Sequence, residues 1–172
     1  MDERFEAHER GELACDAFFE HLADGLGLAL DADGIRAGWN AIFGPEVAGL
    51  EARLARLAAH RPLYVLSNTN AAHEAVFMAR HGGLLAHMDD LYLSHRLGMR
   101  KPDPAIYHEV AARMGRAPGD ILFLDDVPAN LQGAAAAGLQ THHVSDVAMT
   151  PQVLDGWLSA LEDCASEGST PR

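Results

Sequence analysis

The hydrophobic positions change rhythm partway along the chain. From Phe5 to about Phe43 they recur at helical spacing, with Phe18, Phe19 and Leu22 in one patch and Ile35, Trp39, Ile42 and Phe43 in another. Gly25, Gly27, Gly34, Gly38 and Gly44 cut this stretch into short pieces. Val47, Leu50, Leu54, Leu57 and Ala58 then mark one face of a longer amphipathic helix, which Arg61-Pro62 ends. Beyond Pro62 short continuous apolar runs alternate with helical segments. Leu63 to Leu66, Leu91 to Leu93, Ile121 to Leu124 and Thr141 to Val144 read as buried strands. Helices follow from Ala71 to Gly82-Gly83, from Pro104 to Gly115, from the Asp125-Asp126 loop to Gly138, and from about Thr150 to Leu161.

Four strand and helix alternations without a hairpin signal predict an α/β fold, a parallel Rossmann-like sheet flanked by helices on both faces. Ligands of such sheets bind beyond the carboxyl ends of the strands. The expected organisation is a small helical cap over residues 1–45, a core over 46–161 and a polar, frayed tail over 162–172.

Composition narrows the partners. The 172-residue chain has 25 acidic against 13 basic residues, a formal net charge of −12 that repels nucleic acid and anionic membranes. An anionic substrate would then need a local cation or metal. Cys15 and Cys164 have no metal-ligand spacing, and reduced thiols in a cytoplasmic protein are the expectation. No apolar run approaches the length of a membrane span, and no leader is legible at the N-terminus.

Three polar segments fall at the predicted strand ends or helix starts. Asp125-Asp126 follows four apolar residues, so two carboxylates emerge together where their repulsion calls for a cation; oxygen donors suit magnesium, Mg2+. An isolated acid pair reads equally as a helix N-cap with a solvated neighbour. Ser67-Asn68-Thr69 brings hydroxyls, an amide and backbone N–H groups to a helix N-terminus, an anion site or a simple cap. Lys101, between Arg100 and Pro102, stands where an ammonium reaches across the strand ends to a phosphoryl group, or where it is merely solvated.

In this order, and with LSNTN, LYLSHRLGMRKPDPAIY and FLDDVPANLQGA around them, the segments resemble motifs II, III and IV of the haloacid dehalogenase superfamily of hydrolases. The likeness spans Leu63 to about Val144. It is greatest to the small-capped sugar-phosphate phosphatases of the α-D-glucose-1-phosphate phosphatase type, and HERGEL and GWNAIF are similar to pieces of their cap. The resemblance implies Mg2+-dependent hydrolysis of small phosphorylated metabolites through an aspartyl-phosphate. It makes Ser67, Asn68 and Lys101 the phosphate-binding residues, Asp126 with Asp125 the metal holders, and Asn130 an orienter of the acid loop. A metal-free dehalogenase is the rival enzyme, but those members carry Ser-Ser-Asn where this chain has Leu-Asp-Asp. A catalytically silent binding module is the non-enzyme alternative.

Motif I, a buried strand ending in the nucleophilic aspartate, is not legible ahead of the cap-like residues. The expectation is therefore a core without its central motif I strand, inactive alone, completed by a segment upstream or by another element or chain. Its exposed sheet edges are of the kind that pair copies into a homo-oligomer. Leu28-Ala29-Leu30-Asp31-Ala32-Asp33 imitates motif I and makes Asp31 a candidate nucleophile, but the preceding glycines are poor strand formers and Asp31 or Asp33 reads as a helix N-cap. His8, His21, Trp39 and Phe43 face substrate if the helical part is a lid, or else form its own small core. His142-His143 lacks ligand partners at useful spacing and reads as packing or surface.

Overall fold

The computed structural model describes residues 3–27 and 31–167. Three helices come first, α1 (Glu3–Glu9), α2 (Cys15–Leu26) and α3 (Ala32–Asn40), then α4 (Leu50–Ala58). β1 (Tyr64–Ser67), α5 (Ala71–Arg80), α6 (Gly82–Leu85), β2 (Asp90–Leu93), α7 (Ser94–Leu97) and α8 (Pro104–Met114) follow. β3 (Leu122–Asp125), α9 (Pro128–Ala136), β4 (Gln140–His143) and α10 (Thr150–Glu167) complete the order. Among the described residues no helix is long and apolar enough to cross a membrane.

All strand pairing is parallel, as expected, but it comes in two halves. β1 pairs with β2 from Tyr64↔Asp90 to Ser67↔Leu93, and β3 pairs with β4 from Leu122↔Gln140 to Asp125↔His143. β1 and β3 do not pair with each other. One shared core holds the halves together: Ile106, Tyr107 and Val110 of α8 pack with Tyr92, Phe123, Ala134 and Leu139, and Tyr64 and Leu66 lean on the same cluster. On the opposite side Leu57 of α4 packs with Leu154 and Leu158 of α10, with Leu63 and Trp157 alongside. Strands central to a covered parallel sheet are buried on both faces. Here all four β1 residues are only half-buried, and Leu122 of β3 is 44% exposed.

The helical part forms an aromatic cluster of Phe18, Phe19 and Ile35 with Phe5 and Trp39 packed against it. The cluster takes in Ala72 of α5, so it is seated on the strand-bearing half rather than closed on itself. His8 lies inside, its ring stacked on Phe18 at 4.0 Å, and Trp39 stacks on His73 at 5.2 Å.

Two boundaries differ from expectation. The chain does not stop at Gly82-Gly83 but turns into α6, and α10 runs to Glu167 rather than ending near Leu161. Ion pairs tie α10 to α4: Arg53 to Asp155 at 2.7 Å and Arg56 to Glu162 at 2.6 Å. Residues 168–172 of the expected tail and 28–30 of the apparent motif I lie outside the described residues.

Candidate active site

The carboxyl ends of β1 and β3 meet at one side chain. Lys101 Nζ donates to Asp125 Oδ2 at 2.6 Å and to the Leu66 carbonyl at 3.1 Å, so one ammonium spans the two strands that share no backbone ladder. The same ammonium lies over the Phe123 ring, 5.3 Å from Nζ to the centroid. The ion pair is well buried, with side-chain exposure of 10% for Lys101 and 5% for Asp125. Lys101 is also the chain's single lysine, set against twelve arginines. A count of residue types carries that signal.

Asp125 is engaged at both oxygens. Its Oδ1 accepts from the Val127 N–H at 2.8 Å and from Asn130 Nδ2 at 3.0 Å, while Oδ2 takes the lysine. Burial alone would raise this carboxyl; the Lys101 ammonium and these two donors overturn that and hold it below the usual carboxylate range. The Asn130 carbonyl accepts from the Tyr107 hydroxyl at 2.7 Å, which fixes the start of α9 against α8. Asp125 therefore anchors the lysine, and its Oδ2 keeps one acceptor position beyond it. Asp126, the next residue, is exposed at the mouth of the sheet.

The β1 end is built from uncharged groups. Ser67 is half-buried at the last position of the strand, its hydroxyl 3.5 Å from the Asn68 carbonyl. Asn68 is spoken for at both ends of its amide: Nδ2 donates to the Lys101 carbonyl at 2.9 Å and Oδ1 accepts the Lys101 N–H at 2.8 Å. This side chain fixes the lysine's backbone. The buried Ser94 hydroxyl accepts the Thr69 N–H at 2.8 Å and donates to the Thr69 carbonyl at 3.0 Å. Asn70 caps α5 by accepting the His73 N–H at 3.0 Å. These bonds hold the loop in one shape ahead of the ten-residue helix α5.

Asp31 is not among the groups gathered here. Its Oδ1 accepts the Gly34 N–H at 2.9 Å and it is the N-cap of α3. His143 Nε2 lies 3.3 Å from the Asp126 carbonyl, closer to the site than its sequence neighbours announced.

Among the described residues no three His, Cys, Asp or Glu side chains cluster as a metal cage. The donor set still fits Mg2+, which binds through one or two carboxylates plus substrate phosphate and keeps several waters. Asp126 is the exposed carboxylate at this strand end that could take part, next to an anchored cation.

Residues 8–138 match the profile of the haloacid dehalogenase-like hydrolases. D-ribitol-5-phosphate phosphatase of Bacteroides thetaiotaomicron is 29% identical over 80% of this chain and 69% of its own length. An enolase-phosphatase of Synechococcus elongatus is 42% identical over 35% of this chain, which covers 24% of that protein. The fold is similar to a crystal structure of a haloacid dehalogenase family enzyme from Bacteroides thetaiotaomicron in complex with magnesium and inorganic phosphate. That likeness has a TM-score of 0.72 and 25% identity, over 83% of this chain and 74% of the other.

Proposed function

Because the chain belongs to the haloacid dehalogenase-like hydrolases, we propose that its site serves the Mg2+-dependent hydrolysis of phosphomonoesters of small metabolites, sugar phosphates among them. The observation that carries this reading is the Lys101 ammonium buried against Asp125 between the ends of β1 and β3, with the Ser67 hydroxyl on one side and the Asp126 carboxylate on the other. Ser67 and the loop's backbone N–H groups bind the phosphoryl oxygens. Lys101 neutralises charge that builds on them, preorganised by Asn68 and Asp125 so that little reorganisation is needed during reaction. Asp126 would hold the Mg2+, whose contribution when bound is to withdraw charge from the phosphoryl oxygens.

The attacking carboxylate belongs, on this reading, to a further strand between β1 and β3. Their lack of mutual pairing, the half-burial of all of β1 and the exposure of Leu122 on β3 support this. Binding without turnover, as a silent phosphate-binding module, is a second reading that the same unpaired strands favour.

Titration calorimetry with inorganic phosphate and MgCl2, beside a colorimetric phosphatase assay on the 172-residue chain, tests both. The expected result is phosphate binding that requires Mg2+ and is lost in Asp126→Asn and Ser67→Ala, with negligible turnover. Mg2+-dependent turnover abolished by Asp31→Asn would overturn the assignment of Asp31 as a helix cap. Absence of phosphate binding would sink the phosphatase and module readings together.

A further inference from the structure

The loop that carries Lys101 is held from three directions. Two lie within the strand-bearing half: the Asn68 amide, and Gly133 of α9, where an added Cβ would meet the Pro102 carbonyl oxygen at 2.1 Å. The third comes from α1, in the helical part. Arg100, the residue before Lys101, donates from Nε and Nη2 to Glu9 Oε2 at 2.9 and 2.8 Å, and from Nη1 to Glu6 Oε1 at 3.0 Å. Glu6 and Glu9 are three residues apart and share one face of α1, so both reach the same guanidinium. The contact is sheltered, with side-chain exposure of 16% for Arg100 and 10% for Glu9. It is also tight. Gly11, just past α1, has φ +71°, and a Cβ there would meet the His95 carbonyl oxygen at 2.3 Å, so the turn leaving the helix rests on the backbone of α7.

None of Glu6, Glu9 and Arg100 has a place in the chemistry above. A guanidinium shared by two carboxylates in a fixed fork tolerates one placement of its backbone, and that backbone continues directly into Lys101. We propose that Glu6, Glu9 and Arg100 form a latch by which the helical part positions Lys101. Closed, the latch keeps the ammonium on the Leu66 carbonyl and Asp125. Opened, it frees the lysine, so undocking of the helical part and loss of the site's fixed cation are one event. Arg100 is thus a positioning residue. The inference rests on the role given to Lys101 in the proposed function.

The single lysine makes a direct test possible, because an acylating reagent can report only on Lys101 and the N-terminal amine. The full chain is treated briefly with N-hydroxysuccinimidyl acetate at neutral pH, and acetylation of each amine is read by peptide mass spectrometry. Arg100→Met and the double variant Glu6→Gln/Glu9→Gln should raise the rate at Lys101, relative to the N-terminal amine, at least tenfold. Glu9→Gln alone, which keeps Glu6, should give an intermediate rise and serves as the deciding variant if Arg100→Met does not fold. Arg53→Met removes an ion pair of similar geometry between α4 and α10 and should leave Lys101 unchanged when compared at equal fraction folded. Unchanged Lys101 reactivity in the latch variants, or an equal rise in Arg53→Met, overturns the proposal. Reactivity that follows the latch in a protein that binds no phosphate would leave the latch standing and remove the function it was built on.

Discussion

β1–β2 and β3–β4 are each two parallel strands of four residues, yet they present opposite chemistry at their carboxyl ends. β1 ends in hydroxyls, amides and backbone N–H groups tied to one another by Ser94, Asn68 and Asn70. β3 ends in two carboxylates, one buried in an ion pair and one exposed. A two-stranded sheet is marginal on its own. What joins this pair is the α8 core and Lys101, a cation bonded to the end of β1 through the Leu66 carbonyl and to the end of β3 through Asp125. The difference between the halves is what the proposed phosphate chemistry asks for: neutral donors on one side, an exposed acid on the other and a buried positive charge between them.

The strongest way to break this picture is Lys101→Met. It strands a buried Asp125 carboxylate and removes the bridge, and breaking a buried pair by deleting one partner costs on the order of 3–5 kcal/mol. Urea unfolding followed by circular dichroism should show that loss, with phosphate binding gone. A cost below about 1 kcal/mol would mean that the α8 core alone unites the halves.

Local signals made most of the fold legible. Periodicity, the proline and glycine stops, and the apolar runs ahead of Ser67 and Asp125 gave strand and helix their order, and the glycines before Asp31 argued for the helix cap that it forms. What stayed hidden depends on partners far away in sequence. The amide of Asn68 holds the backbone of Lys101, 33 residues on. Asp125 takes Lys101, 24 residues before it, together with Val127 and Asn130 on its oxygens. Arg100 meets Glu9 across 91 residues, and Asp155 and Glu162 of α10 pair with Arg53 and Arg56 of α4. Polar pairing at long range leaves no periodic mark, so it is read from the structure alone.

Acid should weaken the packing of the helical part. Burial, then the charges of His73 and His95, push His8 down to about 4. The unfolded chain takes up that proton near pH 6.5, whereas the folded chain refuses it until about 4. The unfolded state therefore binds more protons within this window, and stability rises with pH across it. The contribution is complete above about 6.5 and fades as pH falls towards 4, by roughly 3 kcal/mol at most. His8→Phe keeps an aromatic ring beside Phe18 and should flatten the dependence of the urea midpoint on pH between 7 and 4. An unaltered slope would shift the acid sensitivity to other groups, the Lys101–Asp125 bridge first among them.

The finest comparison sets one buried hydroxyl under each half-sheet against the other. Ser94→Ala, on the β1 side, leaves the buried Thr69 N–H without its acceptor, and an orphaned buried donor costs about 1–3 kcal/mol. Tyr107→Phe, on the β3 side, removes only a donor to the Asn130 carbonyl, with a net worth of about 0.5–1.5 kcal/mol. The two should also differ in what they do to the site. Ser94 holds the loop proposed to bind phosphate, so Ser94→Ala should weaken Mg2+-dependent phosphate binding by more than its stability cost alone would. Asn130 holds Asp125 through its side chain, which Tyr107→Phe leaves in place, so binding there should be nearly native. If Tyr107→Phe instead weakens phosphate binding as much as Ser94→Ala does, the acid half is no more rigid than the donor half, and the stiffness assigned to the Lys101–Asp125–Asn130 arrangement has to be sought elsewhere.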